Sequence, residues 1–215
     1  MTLKAVRISK GITLNTVIFP LTWHEFLNTL EKKGYELASQ LPFPYPTGRF
    51  SASGPIARKG KTSIFVNTGA NIIRIFDISI KSAGEEFDEL LKLLVSDYGV
   101  DLNAFARFYS FTASYKFNTD KQASQTISDF CIFPSLGEIS KIIGKDVIPF
   151  GFRLGAADVL PNDENWFDIR IEPDVLRNDC YTIEIVFRNS DKEIIEEFIN
   201  TIESNLNKII DLIER

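Results

Sequence analysis
The clearest periodicity in the chain lies between Ala104 and Asn118, where odd positions carry Phe105, Tyr109, Phe111, Tyr115 and Phe117 and even positions carry Ala106, Ser110, Thr112 and Ser114. Alternation with period two predicts a strand with one aromatic face and one small, polar face. At ~3.3 Å per residue it would run roughly 45 Å, so it is expected inside a sheet and bent or twisted along its length. It also divides the chain.

Ahead of it, Leu3–Ile8 and Ile12–Phe19 read as extended, closed by Pro20. Thr22 and Glu25 are spaced as a capping box, and Trp23, Phe26, Leu27 and Leu30 supply the apolar stripe of the helix that follows, with Gly34 as its stop. Leu41 to Gly60 holds four prolines and three glycines and reads as a loop interrupted by strand, with Arg49–Ala52 extended. Strands are expected at Ser63–Asn67 and Ile72–Ile80, then a helix over about 83–98, capped by Ser82 and Glu85, burying Phe87, Leu90, Leu91, Leu94 and Tyr98.

After the central strand the same order returns. Thr119–Ser128 reads as a polar connection with a helical turn or two. Ile132, Phe133, Pro134, Ser135 and Glu138 repeat Ile18, Phe19, Pro20, Thr22 and Glu25 in residue type and in role. A short helix with Leu136, Ile139, Ile142 and Ile143 stops at Gly144; strands follow at Ile148–Leu154, Trp166–Ile171 and Tyr181–Arg188. Ser190 and Glu193 then open a helix that reaches Ile213, with Ile209 and Ile213 continuing its stripe far enough to overhang the sheet and seek a partner.

The expected fold is therefore α+β: two similar strand-helix-strands-helix halves, 1–103 and 104–215, sharing a curved, largely antiparallel sheet with helices on one face. This order of elements resembles the doubled architecture of the TATA-binding-protein fold. The resemblance implies an architecture, two halves on one sheet, and carries nothing about DNA.

Composition narrows the class. With 215 residues, 44% hydrophobic and 25% charged, the chain can bury a full core. It has no apolar run of ~20 residues and no signal-like start, so a cytoplasmic protein without a membrane partner is expected. Cys131 and Cys180 match no metal spacing and read as small buried hydrophobes. One Met, one His and few Gln fit a hot-adapted chain, against which 13 Asn weigh.

Much chemistry is disfavoured. His24 is the single histidine, which removes a histidine-rich metal site; it sits in the first helical turn as a solvent-facing residue, and no serine or cysteine is arranged with it as a nucleophile. Gly54–Thr62 has five residues between its glycines where a phosphate-binding loop has four, and it leads into a strand where that loop needs a helix. No cofactor, metal or catalytic set is read from the sequence. The enzyme alternative would use carboxylates on an open sheet face, with Asp77 on one strand and Asp168, Arg170 and Glu172 on another; an Asp77 satisfied by Arg74, Arg107 or a backbone amide is the simpler reading.

Charge is the remaining signal. Leu37 to Phe76 holds no acid and five cations, Arg49, Arg58, Lys59, Lys61 and Arg74, whereas Asp158 to Glu184 holds eight acids against two arginines. The function expected is a non-enzymatic binding or assembly module. Its anion site would be the basic loop 48–62 with Arg49, Ser51, Ser53, Arg58, Lys59 and Lys61, and its ligand an anionic small molecule such as a phosphorylated metabolite, or a nucleic-acid backbone. The alternative is a homo-oligomer in which basic and acidic surfaces meet. Specific DNA binding is disfavoured, because an acidic half repels phosphates.

Overall fold
The computed structural model describes residues 2–16, 24–39 and 52–215. Thr22, Trp23, Ile18, Phe19, Pro20, Arg49 and Ser51 lie outside them.

The described elements run β1 (Thr2–Leu14), α1 (His24–Lys32), β2 (Glu36–Leu37), β3 (Ser53–Lys59), β4 (Thr62–Asn67), β5 (Ile72–Asp77), α2 (Ile80–Ser96), α3 (Leu102–Phe105), β6 (Ala106–Asn118), α4 (Ala123–Phe130), α5 (Leu136–Ile143), β7 (Phe152–Gly155), β8 (Trp166–Pro173), β9 (Cys180–Asn189) and α6 (Lys192–Ile213). Nine strands form one sheet in the order β2-β3-β4-β5-β1-β6-β9-β8-β7, and every pairing is antiparallel. The fold is α+β. Outward from the central β1–β6 pair, β5, β4 and β3 on one side answer β9, β8 and β7 on the other. Among the described residues only the first side continues, to β2.

The aromatic face of the central strand is the buried one. Phe111, Tyr115 and Phe117 are buried, and their cross-strand partners Phe187, Ile183 and Tyr181 share that face. On the other side of the seam Ile8, Ile12, Ile64, Ile73 and Ile75 do the same, beneath Phe87, Leu90, Leu91 and Leu94 of α2. Each such side chain contributes roughly 1.5–3 kcal/mol relative to exposure.

Both long helices cover this one face, and Lys10 of β1 marks their meeting. Buried to 4% exposure, it stands 5.3 Å from the Phe87 ring centre of α2, and its Nζ lies 2.5 Å from Glu196 Oε1 of α6. Lys192 of α6 also pairs with Asp88 of α2 at 2.7 Å.

Several boundaries differ from expectation. β3 occupies residues read as loop: Gly54 and Pro55 pair with Val66 and Phe65, and a bulge between Pro55 and Ala57 absorbs the missing proline donor. α2 begins at Ile80 because Ser79, not Ser82, is its cap, accepting from Ser82 N at 3.3 Å. α6 is capped by Asp191, which accepts from Glu193 N at 2.8 Å, not by Ser190. Ser135 holds the cap position of α5 without a side-chain cap bond. The connection after β6 holds a full helix, α4, and the strand expected from Ile148 starts only at Phe152, past Pro149, which has no N–H to donate.

The far end of α6 does not overhang. Ile210 and Ile213 are buried and Ile209 packs on the core, while Lys121 donates to the Glu214 carbonyl. No helix among the described residues is long and apolar enough to cross a membrane.

Candidate functional site
The side of the sheet that bears no described helix carries the small, polar face of β6, and the pairing fixes what lies beside it. One row runs across six strands: Phe65 of β4, Arg74 of β5, Gly11 of β1, Ser110 of β6, Arg188 of β9 and Trp166 of β8. Read outward from the seam, each half supplies a small residue, an arginine and an aromatic ring.

The two arginines are held differently. The stem of Arg74 lies across β1, where a Cβ on Gly11 would sit 2.6 Å from Arg74 Cγ. Arg188 is stacked between rings, its guanidinium carbon 4.9 Å from the Trp166 centre and 5.3 Å from that of Phe108, and it donates through Nη2 to the Pro161 carbonyl. The Nε atoms of Arg74 and Arg188 are both buried without a hydrogen-bond partner among the described residues.

Burial pulls both guanidinium groups below the ordinary arginine value; for Arg188 the neighbouring charges of Arg107 and Arg74 add to this, against the opposing pull of Asp163. They stay protonated, since arginine holds its proton throughout the physiological range. No described carboxylate forms an ion pair with either, whereas Arg107 beside them is paired with Glu164 at 2.9 Å.

The next row on this face runs Arg58, Ser63, Phe76, Ser9, Thr112, Val186 and Asp168. Arg58 and Lys61 line a shallow depression of about 440 Å³ with Glu36, Leu37, Pro55 and Ser63 at the sheet's edge. Arg58 donates through Nε to the Gly60 carbonyl at 2.8 Å, within the turn that joins β3 to β4. Ser53 begins β3, opposite Asn67. Lys59 is turned to the helix side, 3.3 Å from Glu86 Oε1 and 5.4 Å from the Tyr35 ring centre. The structure thus brings Arg58 and Lys61 together and separates Lys59 from them.

The carboxylates do not share a face. Asp77 is buried on the helix side opposite Ile8, and accepts from Thr62 Oγ1 at 2.5 Å and from the amides of Ile78 and Ser79 at 2.6 and 2.9 Å. It is satisfied by a hydroxyl and two backbone amides, not by Arg74 or Arg107. Asp168 and Glu172 lie on the opposite face, engaged by Arg153 and Arg170. His24 is exposed at the start of α1, and both cysteines are free and buried, with burial raising both thiols. Among the described residues no cluster of three His, Cys, Asp or Glu is placed to hold a metal.

Sequence reasoning missed the Arg74–Arg188 row. Its one local signal is Gly11, which falls in the break between the two extended segments read from the sequence and which the structure places inside β1, where a glycine marks a close crossing by another group.

No family model matches this chain, and no curated protein matches it. Among solved structures it is similar to the TBP of Methanococcus jannaschii, at 11% identity and a TM-score of 0.35, over 100% of this chain and 98% of that one. The likeness is one of architecture, and nothing about binding follows from it.

Proposed function
We propose that the chain is a binding module for a small phosphate-bearing ligand, held on the helix-free face between Arg74 and Arg188. The carrying observation is the pair of half-buried guanidinium groups on one row, separated by Gly11 and Ser110, each with a buried Nε that has no partner among the described residues. Like charges left unpaired in a half-buried place repel one another, and an oxyanion between them turns that repulsion into two charge-assisted hydrogen-bonded contacts. Aromatic walls at Phe108 and Trp166 hold Arg188 in place and lower the entropy lost on binding.

A single anion suits this face better than a polyanion. Its second half carries Asp168, Glu172 and Glu184, which would repel phosphates laid along the sheet. Arg58 and Lys61 at the far edge would meet a second charged group of a longer ligand.

The test is thermal unfolding with inorganic phosphate, pyrophosphate and a short single-stranded oligonucleotide. At a hundredfold excess over Kd, binding stabilises by about 2.7 kcal/mol, which for a chain of this size is a rise of roughly 5–10 °C. Phosphate or pyrophosphate should raise the midpoint in the native protein and in neither Arg74→Gln nor Arg188→Gln. No rise with either compound would sink the proposal, and a rise with the oligonucleotide alone would replace it with a nucleic-acid reading.

A further inference from the structure
Between β1 and β2 the described chain has one short helix, α1, whereas between β6 and β7 it has two, α4 and then α5, and α5 is the one left uncovered. In the first half α1 buries Phe26, Leu27 and Leu30, and Tyr98 meets Phe26 edge-on at 6.0 Å. In the second half α5 presents an equivalent stripe, Leu136, Ile139, Ile142 and Ile143, and buries none of it. β2, the strand against which α1 packs, has no described counterpart beyond β7.

The uncovered surface extends past the helix. Ile132 and Phe133 precede it, and Val147 N donates to Ser140 Oγ at 3.2 Å, which turns the chain back beside the helix before Ile148. Ile132, Phe133, Ile139, Ile142, Ile143 and Ile148 are between 39% and 84% exposed. At roughly 200 Å² per large side chain these six residues together expose on the order of 700 Å² of apolar surface, close to the ~800 Å² that each partner buries in a standard interface.

We propose that a second copy of this chain covers this face, as an isologous dimer with α5 against α5. Charge selects the occupant. Between Asp129 and Arg153 the acids are Asp129, Glu138 and Asp146 and the bases Lys141, Lys145 and Arg153, so the stretch is neutral within a chain of net charge −5. A surface with equal numbers of both signs meets its own copy without net repulsion, and two-fold symmetry lets each acid face a base twice. An anionic membrane or a nucleic acid would call for a basic excess, which is absent here. Two such patches would bury about 1,400 Å², within the range of specific, stable interfaces.

Sedimentation equilibrium on the full chain decides it, over about 1 to 100 µM, a range that spans micromolar dissociation constants. The expected result is twice the mass of one chain. Ile142→Lys, at the most exposed position of the stripe, should weaken association at least tenfold while keeping native circular dichroism. Leu176→Lys, equally exposed but remote in sequence, should leave the dimer intact. A native protein that is monomeric throughout, a mass that grows without closing at two, or an Ile142→Lys variant that dimerises like the native chain would each overturn the proposal.

Discussion
Arg74 crosses β1 directly over Gly11, in a space that any side chain at position 11 would fill. A Cβ there would lie 2.6 Å from Arg74 Cγ and 2.8 Å from the carbonyl oxygen of Ile73. The first contact yields, because it is a flexible stem; the second is backbone in the neighbouring strand and yields only if the strands part. Gly11→Ala is therefore expected to cost about 1–3 kcal/mol, the range for overpacking, and to push the Arg74 guanidinium off the row. Chemical denaturation measures the first effect. A phosphate titration measures the second, and affinity retained in Gly11→Ala would show that the crossing is not needed.

Arg74 itself is expected to be held against stability. Its guanidinium is more than half buried, lacks an ion-pair partner among the described residues, and lies within reach of a second positive charge. Replacing it with Met keeps most of the apolar stem and removes the charge. Without ligand, Arg74→Met should be neutral or more stable by ~0.5–1 kcal/mol, and it should lose all response to phosphate. A loss above about 1 kcal/mol, a size that calls for a specific broken interaction, would mean that Arg74 already has a structural partner.

The difference between what the sequence reveals and what it hides runs along the pairing direction. Alternation in Ala106–Asn118 and Cys180–Asn189 places each residue on a face, since a side chain points to one side or the other by its parity alone. Which residue lies opposite is set by register. Arg74 and Arg188 are far apart in sequence and become neighbours only through the β5–β1, β1–β6 and β6–β9 pairings, none of which has a local signature. The charge asymmetry was legible, but its division between faces was not. Arg58 and Lys59 are adjacent, so in a strand they must point to opposite sides. β3 was missed because proline and glycine counts report a segment's average, whereas one bulge is enough to admit Pro55 to a strand.

A division of the chain near residue 103 makes a further forecast. β1 pairs with β6 from Thr2↔Asn118 to Leu14↔Ala106, so separating the halves strips a whole ladder from each and leaves two long edges. Fragments 1–103 and 104–215 should be poorly folded or aggregated alone, and should recover native circular dichroism when co-expressed. Two fragments that each unfold cooperatively by themselves would show two domains where one shared sheet is expected.

Asp174 gives the pH dependence. Its carboxylate is buried at the end of β8, where it accepts from Lys116 Nζ at 2.5 Å, from Leu176 N at 2.9 Å and from Thr182 Oγ1 at 3.2 Å. The hydrogen bond from Lys116 is the main reason that its pKa falls below the usual carboxylate value, followed by the Leu176 amide; the same bond raises Lys116. A depressed acid binds its proton more weakly when folded, so it stabilises the fold above the unfolded value of ~3.9 and loses that contribution as the pH falls through the folded value. Lys116, raised when folded, keeps its side of the same interaction below ~10.4 and loses it as the pH climbs through the folded value. The pair therefore stabilises across the neutral range and fades at both ends. Asp174→Asn keeps the shape and removes the charge, and should cost about 1.5–3 kcal/mol at pH 7, the range for hydrogen bonds to charged groups. Measured by denaturation at intervals of pH, the gap between Asp174→Asn and the native chain should hold from ~5 to ~9, shrink below ~4 and close once the pH is below the depressed folded value, where protonation leaves Asp174 as uncharged as the asparagine. A gap independent of pH would assign the loss to the geometry of the turn at Leu176 and not to the charge.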